Sequence, residues 1–413
     1  MSPAAPLRHI LFVDDEPRIL EGLRRMLRPQ RAQWGMEFAN SGAEALELLA
    51  KSPFDVIVTD MRMPEMDGAR LLECVREKYP AIIRIVLSGY SELETALRAV
   101  PVAHQYLAKP SDPEKLREAI ERSCSFTGLL PDEAIRRVIG TIGRLPAMPR
   151  TGALLMDALQ KPDVPIEEIG RIIEQDVGIT AKVLQLVNSA FFGLLREITT
   201  VRMAVSYLGF DTLRHLVMSA EIFRTFRPQT AIAGFSIEEL QEHSRLTARI
   251  AARLPLPKAI ASSAVVSALL HDVGKLILAS RLPERLERAL RESVEQKRPL
   301  HLVEAELTGI GHSEIGAYLL GLWGLPKPVV QAVCRHHQPA MPEGAPPGLD
   351  ILAATHIADA LAHEQTSAKA ADPPSYCLWD DEYLKALGVA DQLPGWREMA
   401  AQVAQVGEPG EQS

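Results

Sequence analysis

Two sets of residues in this sequence have types and spacings suited to chemistry. The first is Asp14-Asp15, Asp60, Ser88 and Lys109, each of which closes a short apolar or β-branched run. If those runs are parallel strands, their ends meet at one edge, and three carboxylates crowd a single crevice where like charges repel unless a cation binds. Mg²⁺ suits such hard oxygen ligands, and a metal together with Lys109 could neutralise a phosphoryl group placed on Asp60. The second set lies in the C-terminal half, where nine of the eleven histidines follow residue 200. His243, His271-Asp272, His312, His336-His337 and Asp359 combine imidazole with carboxylate, which suits Fe, Mn, Zn or Ni better than Mg²⁺. Adjacent helical residues point about 100° apart, so a HisAsp or HisHis pair can address one or two neighbouring metals. The remaining His215, His301, His356 and His363 read as surface or hydrogen-bonded core histidines.

The elements that must position these residues differ in the two halves. Strands are expected at His9–Asp15, Trp34–Asn40, Asp55–Asp60, Ile82–Gly89 and His104–Lys109, with helices starting near Pro17, Gly42, Ala69, Ser91 and Asp112. This βα alternation predicts a parallel sheet covered on both faces, with ligands beyond the carboxyl ends of the strands. From residue 132 to about 335 the pattern is helical throughout; Ile179, Val183, Leu186 and Val187, for example, share a face. Pro339 to Pro347 reads as a loop, and Trp379 to Val403 as one or two closing helices with Trp396.

Length and composition bound the rest. The 413 residues exceed one hydrophobic core, and 47% hydrophobic with 24% charged residues excludes a largely disordered or fibrous chain. With 45 Lys plus Arg against 53 Asp plus Glu, the net charge of −8 offers no general attraction to nucleic acid or anionic lipid. Arg-rich Arg281 to Arg298 also carries Glu at helical spacing, the mark of a solvated face. Four scattered cysteines form no CxxC pair, so neither a disulfide framework nor a thiolate zinc site is expected. The longest near-apolar run, about Ala259 to Leu270, is too short to span a bilayer. The expectation is a cytoplasmic protein without membrane insertion.

The first half resembles the receiver domain of bacterial response regulators, through Val13-Asp14-Asp15-Glu16, Thr59-Asp60-Met61-Arg62-Met63-Pro64 with Asp67-Gly68, Leu87-Ser88-Gly89 and Tyr106-Leu107-Ala108-Lys109-Pro110. The resemblance implies a flavodoxin-like five-stranded parallel sheet of order 2-1-3-4-5 over residues 7–126. It further implies Asp60 as phosphoacceptor, and Asp14, Asp15 and the main-chain carbonyl of Arg62 around Mg²⁺. Ser88 and Tyr106 would be the switch pair, Lys109 the phosphoryl contact, and Lys109–Pro110 a cis bond.

The histidine set resembles the metal-dependent phosphohydrolase superfamily named for its HisAsp pair. The remainder of that half resembles more closely the HDOD module, the HD-related output domain, through Leu145-Pro-Ala-Met-Pro149, Gln175-Asp176-Val177-Gly178, Val187-Asn188-Ser189-Ala190-Phe191-Phe192-Gly193 and Ala204-Val205-Ser206-Tyr207-Leu208-Gly209-Phe210. This implies an all-α HD-like domain over 145–405, joined to the receiver by a helical connector over 127–144. Its stripe Ile135, Val138, Ile139 and Ile142 reads as a core face first and a dimer seam second.

Two functions follow. In the first, phosphorylation of Asp60 by a sensor histidine kinase switches the conformation or oligomeric state, a homodimer included, of an output module that engages a downstream signalling protein. In the second, the retained ligands hold a metal for a phosphohydrolase acting on a nucleotide or cyclic dinucleotide, with Lys275 near the phosphate oxygens. After His336-His337 the chain reads Gln338-Pro339-Ala340-Met341-Pro342, which departs from the acidic, glycine-rich segment ending Gly-Tyr-Pro of the cyclic-dinucleotide phosphodiesterases. A DNA-binding output is disfavoured, since nothing resembles a basic recognition helix.

Overall fold

The computed structural model describes residues 8–89, 102–109, 113–126, 129–130, 132–142, 146–147, 151, 154–155, 158, 164–188, 198–207, 224–225, 232–341, 347–367 and 379–405, without the side chains at 88, 89, 108, 113, 146, 147, 186, 224, 225 and 367. In the first half, β1 (Arg8–Val13), β2 (Trp34–Ala39), β3 (Val56–Asp60), β4 (Ile83–Gly89) and β5 (Gln105–Lys109) form one sheet of order β2-β1-β3-β4-β5. Every neighbouring pair is parallel. Ile10, Leu11, Phe12, Val56, Ile57 and Ile85 are all fully buried, because a parallel sheet with helices on both faces hides consecutive residues of a strand.

The helices are set by local signals. α1 (Pro17–Met26) opens on proline, whose missing N–H costs nothing at that position. α2 (Gly42–Lys51) and α3 (Gly68–Lys78) open on side-chain caps, Ser41 accepting from Glu44 N–H and Asp67 from Arg70 N–H. A Cβ on Gly68 would lie 2.1 Å from the Asp60 carbonyl oxygen, so only glycine lets α3 close over the end of β3. The strands fall where the sequence places them to within about two residues. The expected helix from Ser91 and the Lys109–Pro110 bond lie outside the described residues.

α4 (Pro113–Ser125) completes this half, and α5 (Glu133–Gly140), capped by Asp132, forms the connector. Ile135, Ile139 and Ile142 are buried, and a Cβ on Gly140 would meet the Pro80 carbonyl oxygen at 1.8 Å. The apolar stripe is therefore a core face packed on the sheet domain. Beyond it the described chain is helical apart from a two-residue parallel pairing of β6 (Pro146–Ala147) with β7 (Arg224–Thr225). The helices are α6 (Ile166–Glu174), α7 (Val177–Asn188), α8 (Ile237–Ala251), α9 (Lys258–Leu270), α10 (Val273–Arg281), α11 (Pro283–Gln296), α12 (Leu300–Thr308), α13 (His312–Leu322), α14 (Lys327–Arg335), α15 (Ile351–Ser367), α16 (Asp381–Leu387) and α17 (Leu393–Gln405). The last two are the closing helices, with Trp396 buried.

The centre of this half is α9, apolar on nearly all sides and packed against α8, α14 and α15. The apolar stretch does not stop at Leu270. Through the His271-Asp272 corner it continues as Lys258–Arg281, 24 residues, long and apolar enough by composition to cross a membrane, and 67% buried within the protein as a core helix would be.

The two halves meet on the sheet's far side from the strand carboxyl ends. Gln105 Nε2 donates to Ser123 Oγ and to the Leu322 carbonyl of α13 at 3.3 Å. Gln185 Nε2 of α7 donates to the His104 carbonyl at 3.0 Å, and Lys182 Nζ lies 4.8 Å from the ring centroid of the fully buried Trp323. Arg84, 1% exposed inside β4, donates to the carbonyls of Pro80, Ile82, Val102 and Gly140. A Cβ on Gly321 would lie 2.3 Å from the Phe126 ring.

Candidate functional site

At the carboxyl edge of the sheet, Lys109 Nζ lies 2.7 Å from Asp14 Oδ2 and 2.5 Å from Asp60 Oδ1. The register explains the meeting: Val13 pairs with Thr59, which sets Asp14 beside Asp60, and Asp60 pairs with Leu87, so Lys109, paired with Gly89, stands two residues farther out and its long side chain reaches back to both carboxylates. The other carboxylate oxygens accept main-chain N–H groups, Asp14 Oδ1 from Glu16 at 3.0 Å and Asp60 Oδ2 from Arg62 at 2.9 Å. Asp14 and Asp60 are buried, and Asp15 is half-buried at the rim. Burial pushes the Asp60 carboxyl above its usual value and Asp14 adds to this, against the pull of Lys109. Burial opposes the Lys109 ammonium as well, yet its two carboxylate partners hold it above the usual lysine value. One lysine thus offsets two buried aspartates beside a third, and this surplus of hard oxygen donors and negative charge fits a divalent ion such as Mg²⁺. Tyr106 is buried and its hydroxyl makes no hydrogen bond; burial drives its pKa well above the ordinary tyrosine value. The Ser88 side chain lies outside the described residues.

The histidine cluster is assembled from helix ends and corners. His271 caps the end of α9 and Asp272 precedes α10, so the HisAsp pair occupies the corner between them. His312 opens α13, His336 caps α14 with His337 following, and His243 and Asp359 project from the middles of α8 and α15. A Cβ on Gly274 would sit 1.9 Å from the His312 carbonyl oxygen, so glycine there lets α10 and α13 touch and brings Asp272 to His312. Ser267 and Thr355 share a 2.8 Å hydrogen bond that fixes α9 against α15.

All seven expected residues converge. Asp359 Oδ1 lies 3.0 Å from His243 Nε2 and 3.4 Å from His271 Nε2; Asp272 lies 3.4 Å from His271 Nε2 and 3.2 Å from His312 Nε2; His337 and His312 face each other through their Nε2 atoms at 3.0 Å. Three Nδ1 atoms are engaged on the outward side: His271 with the Ala268 carbonyl at 2.6 Å, His336 with the Val333 carbonyl at 2.7 Å, and His312 with Glu304 Oε2 at 2.6 Å. With the Nδ1–H donated outward, each Nε2 points into the cluster, which is how metal-binding imidazoles are held. His271 Nε2, His336 Nε2 and Asp272 Oδ1 are buried there with no hydrogen-bond partner. The donor set fits a borderline divalent ion such as Fe, Mn, Zn or Ni.

Electrostatics agree. Burial disfavours every charge here, yet Asp272 and Asp359 push His271 up to about 10, and Glu304 pushes His312 up to about 9. Asp272 and Asp359 are held well below the carboxylate range against burial, chiefly by Lys275 at the former and His363 at the latter. Burial and neighbouring imidazoles drive His336 and His337 well below the usual histidine value. Lys275 Nζ is committed to Asp272 Oδ2 at 2.6 Å.

Two residues of this centre escaped the sequence reading. Glu304, buried on α12, orients His312 through both its ring and its main-chain N–H; a carboxylate at a buried position of an apolar helix was the available signal. His363, expected to be a surface or hydrogen-bonded core histidine, lies 3.4 Å from Asp359 Oδ1 with its ring 4.3 Å from that of His243, at the edge of the cluster. Its spacing of four residues from Asp359 was the signal. His356 is a hydrogen-bonded core histidine, through the His336 carbonyl; His301 stacks on His337, and His215 lies outside the described residues.

Residues 10–121 match the response regulator receiver domain family and residues 145–339 the HDOD domain family. The chain is a receiver joined to an HDOD domain. An uncharacterized protein of Treponema pallidum (strain Nichols) is 30% identical over 218 residues, 51% of this chain and 41% of that protein. The hydrogenase transcriptional regulatory protein HoxA of Cupriavidus necator is 38% identical over 125 residues, 30% of this chain and 25% of that one. The chain thus spans less than half the length of these relatives. The solved MmoQ response regulator of Methylococcus capsulatus str. Bath is 23% identical with a TM-score of 0.48, covering 62% of this chain and 98% of that one. Within the HDOD domain, the described part of its motifs does structural work. Asp176 caps α7 by accepting from Ile179 N–H, Gln241, on the same helix as His243, accepts from Val177 N–H, and Asn188 bonds both main-chain groups of Ile198. The Ser189–Gly193 and Leu208–Phe210 segments lie outside the described residues.

Proposed function

We propose that this protein is a cytoplasmic two-component response regulator in which phosphorylation of Asp60, by a sensor histidine kinase, changes how the receiver engages the HDOD domain and thereby what that domain presents to a downstream signalling protein. The observation that carries the reading is the Lys109 bridge between Asp14 and Asp60 at the head of β5. A phosphoryl group on an Asp60 oxygen adds nearly two negative charges where one lysine already serves two carboxylates, so Lys109 must redistribute its bonds. Bound Mg²⁺, held by Asp14, Asp15, Asp60 and the Arg62 carbonyl, would supply the neutralising charge. Tyr106, whose hydroxyl has no partner in its buried position, is free of any bond that would resist rotation toward a displaced Ser88.

β5 links this event to the output half. From Lys109 it runs about 13 Å to Gln105, which bonds the Leu322 carbonyl at one end of α13. α13 then runs about 15 Å to His312 in the cluster. One strand and one helix in series thus connect the phosphoacceptor to the histidines, and this continuity supports coupling between them. On this reading residues 7–126 are the receiver, 127–144 the connector and 145–405 the output domain. The cluster of His243, His271, Asp272, His312, His336, His337 and Asp359 holds a transition-metal-class ion that ties its helices together.

The intact donor set also favours a second reading, a regulated metal-dependent phosphohydrolase. It places a phosphate oxygen near Lys275. The tests separate the two. Acetyl phosphate with Mg²⁺ should change oligomeric state or protease sensitivity of the full chain; no change counts against the switch. Phosphodiester hydrolysis by the metal-loaded chain, lost in Asp272→Ala, would establish the enzyme.

A further inference from the structure

We infer that His363 is a ligand of an additional, outer metal position that it forms with His243 and Asp359, beside the inner position of Asp272, His312, His336 and His337. The inference rests on the metal reading above and extends it to a residue outside the set that the family resemblance implies.

The cluster has two poles. At the inner one, donor atoms of Asp272, His312, His336 and His337 lie within 4.8 Å of one another, and the same holds at the outer one for His243, Asp359 and His363; the groups His243–His271–Asp272 and His271–His336–Asp359 join the two. His271 stands between, 3.4 Å from both Asp272 Oδ2 and Asp359 Oδ1, so a single ion cannot use all these donors. Around one oxygen, Asp359 Oδ1, three imidazole Nε2 atoms gather at 3.0 Å from His243, 3.4 Å from His271 and 3.4 Å from His363. Ligand atoms bound at about 2.0 Å to a tetrahedral ion sit about 3.3 Å apart, and the separations of Asp359 from His243 and from His363 match two edges of such a polyhedron. A carboxylate oxygen accepts about two hydrogen bonds, so three converging nitrogens exceed what hydrogen bonding to that oxygen alone would gather.

The poles differ in access. His312 and Asp272 have side chains only 1% exposed, whereas the His363 side chain is 33% exposed and that of His243 11%. The outer ion would have three protein ligands and a side open to solvent, the arrangement that leaves a coordination position for water or an anionic oxygen of a ligand. Its placement on α15, four residues from Asp359, makes the pair one face of one helix, so the outer position depends on no helix–helix approach beyond that of α8 and α15.

The experiment uses the full chain, stripped with a chelator and reloaded with Mn²⁺ alone, read by metal analysis and electron paramagnetic resonance. Wild type should take up an inner and an outer equivalent and show a spin-coupled signal. His363→Ala should lose one equivalent and show the six-line signal of an isolated ion, with circular dichroism unchanged, and His363→Asp should restore the lost equivalent. His363→Ala with the wild-type equivalents and signal would overturn the assignment while leaving the metal reading intact. A wild-type chain that takes up no metal under aerobic or anaerobic loading would overturn both.

Discussion

The receiver notch and the HDOD cluster both bury carboxylates, and they stabilise them in opposite ways. In the notch, strand ends deliver oxygens and a single ammonium, so the charge stays negative and the donors stay hard. In the cluster, helix ends and corners deliver imidazoles, and the carboxylates are offset by His271, His312 and Lys275. The difference teaches that backbone architecture selects ion chemistry: adjacent strand ends gather short acidic side chains, whereas helices crossing at a distance need the longer reach of histidine.

The comparison breaks most completely at Asp60. Asp60→Asn should abolish the response to acetyl phosphate or beryllofluoride with Mg²⁺ while the cluster's uptake of Mn²⁺ is retained, as read by protease sensitivity and metal analysis on the same preparation. Loss of both would mean that the sites are not separate. Gly274→Ala attacks the other region: a Cβ 1.9 Å from the His312 carbonyl must push α10 from α13, costing about 3 kcal/mol in denaturant unfolding and weakening metal uptake. Unchanged stability would show that the close approach is not required. Glu304→Gln should lower metal affinity about 10- to 100-fold with little loss of fold, because it weakens the bond orienting His312; titration with Mn²⁺ reads this.

The smallest effect probes the junction through pH. His104 is buried beside Arg84, accepting its main-chain N–H, and burial holds its pKa well below the ordinary value. Its folded pKa lies below the unfolded one, so in acid the unfolded chain takes up a proton that the folded chain refuses. The stability contribution of neutral His104 is complete above the unfolded pKa of about 6.5 and falls by about 1.4 kcal/mol per pH unit below it. His104→Asn should flatten the acid side of the stability profile by that slope; parallel profiles would remove His104 from the balance.

How much of this was legible depended on sequence distance. The sheet and its notch were readable because each chemical residue ends its own apolar run, so local pattern and site coincide. The cluster residues could be gathered by type, but which of them meet is decided by contacts over more than a hundred residues, as between His243 and Asp359. That His363 stands beside His243 was not legible, because a lone helical histidine usually has no such company and only the crossing of α8 with α15 supplies it. Arg84 left a visible trace, a cation inside Ile83-Arg84-Ile85-Val86-Leu87, yet its role at the junction needs the carbonyl of Gly140, over fifty residues away. The apolar run from Ala259 was cut short because His271 and Asp272 look like a break, while the backbone turns there and the burial continues.

The junction has one more consequence. Gly140 lies against the Pro80 carbonyl and Gly321 against the Phe126 ring, each at a distance no side chain could occupy. A foreign receiver grafted ahead of these helices would have to reproduce both concavities to seat at all. Domain shuffling at this seam is therefore constrained by a pair of missing methyl groups, and chimaeras should tolerate changes in the phosphoacceptor loops far better than changes at Pro80 or Phe126.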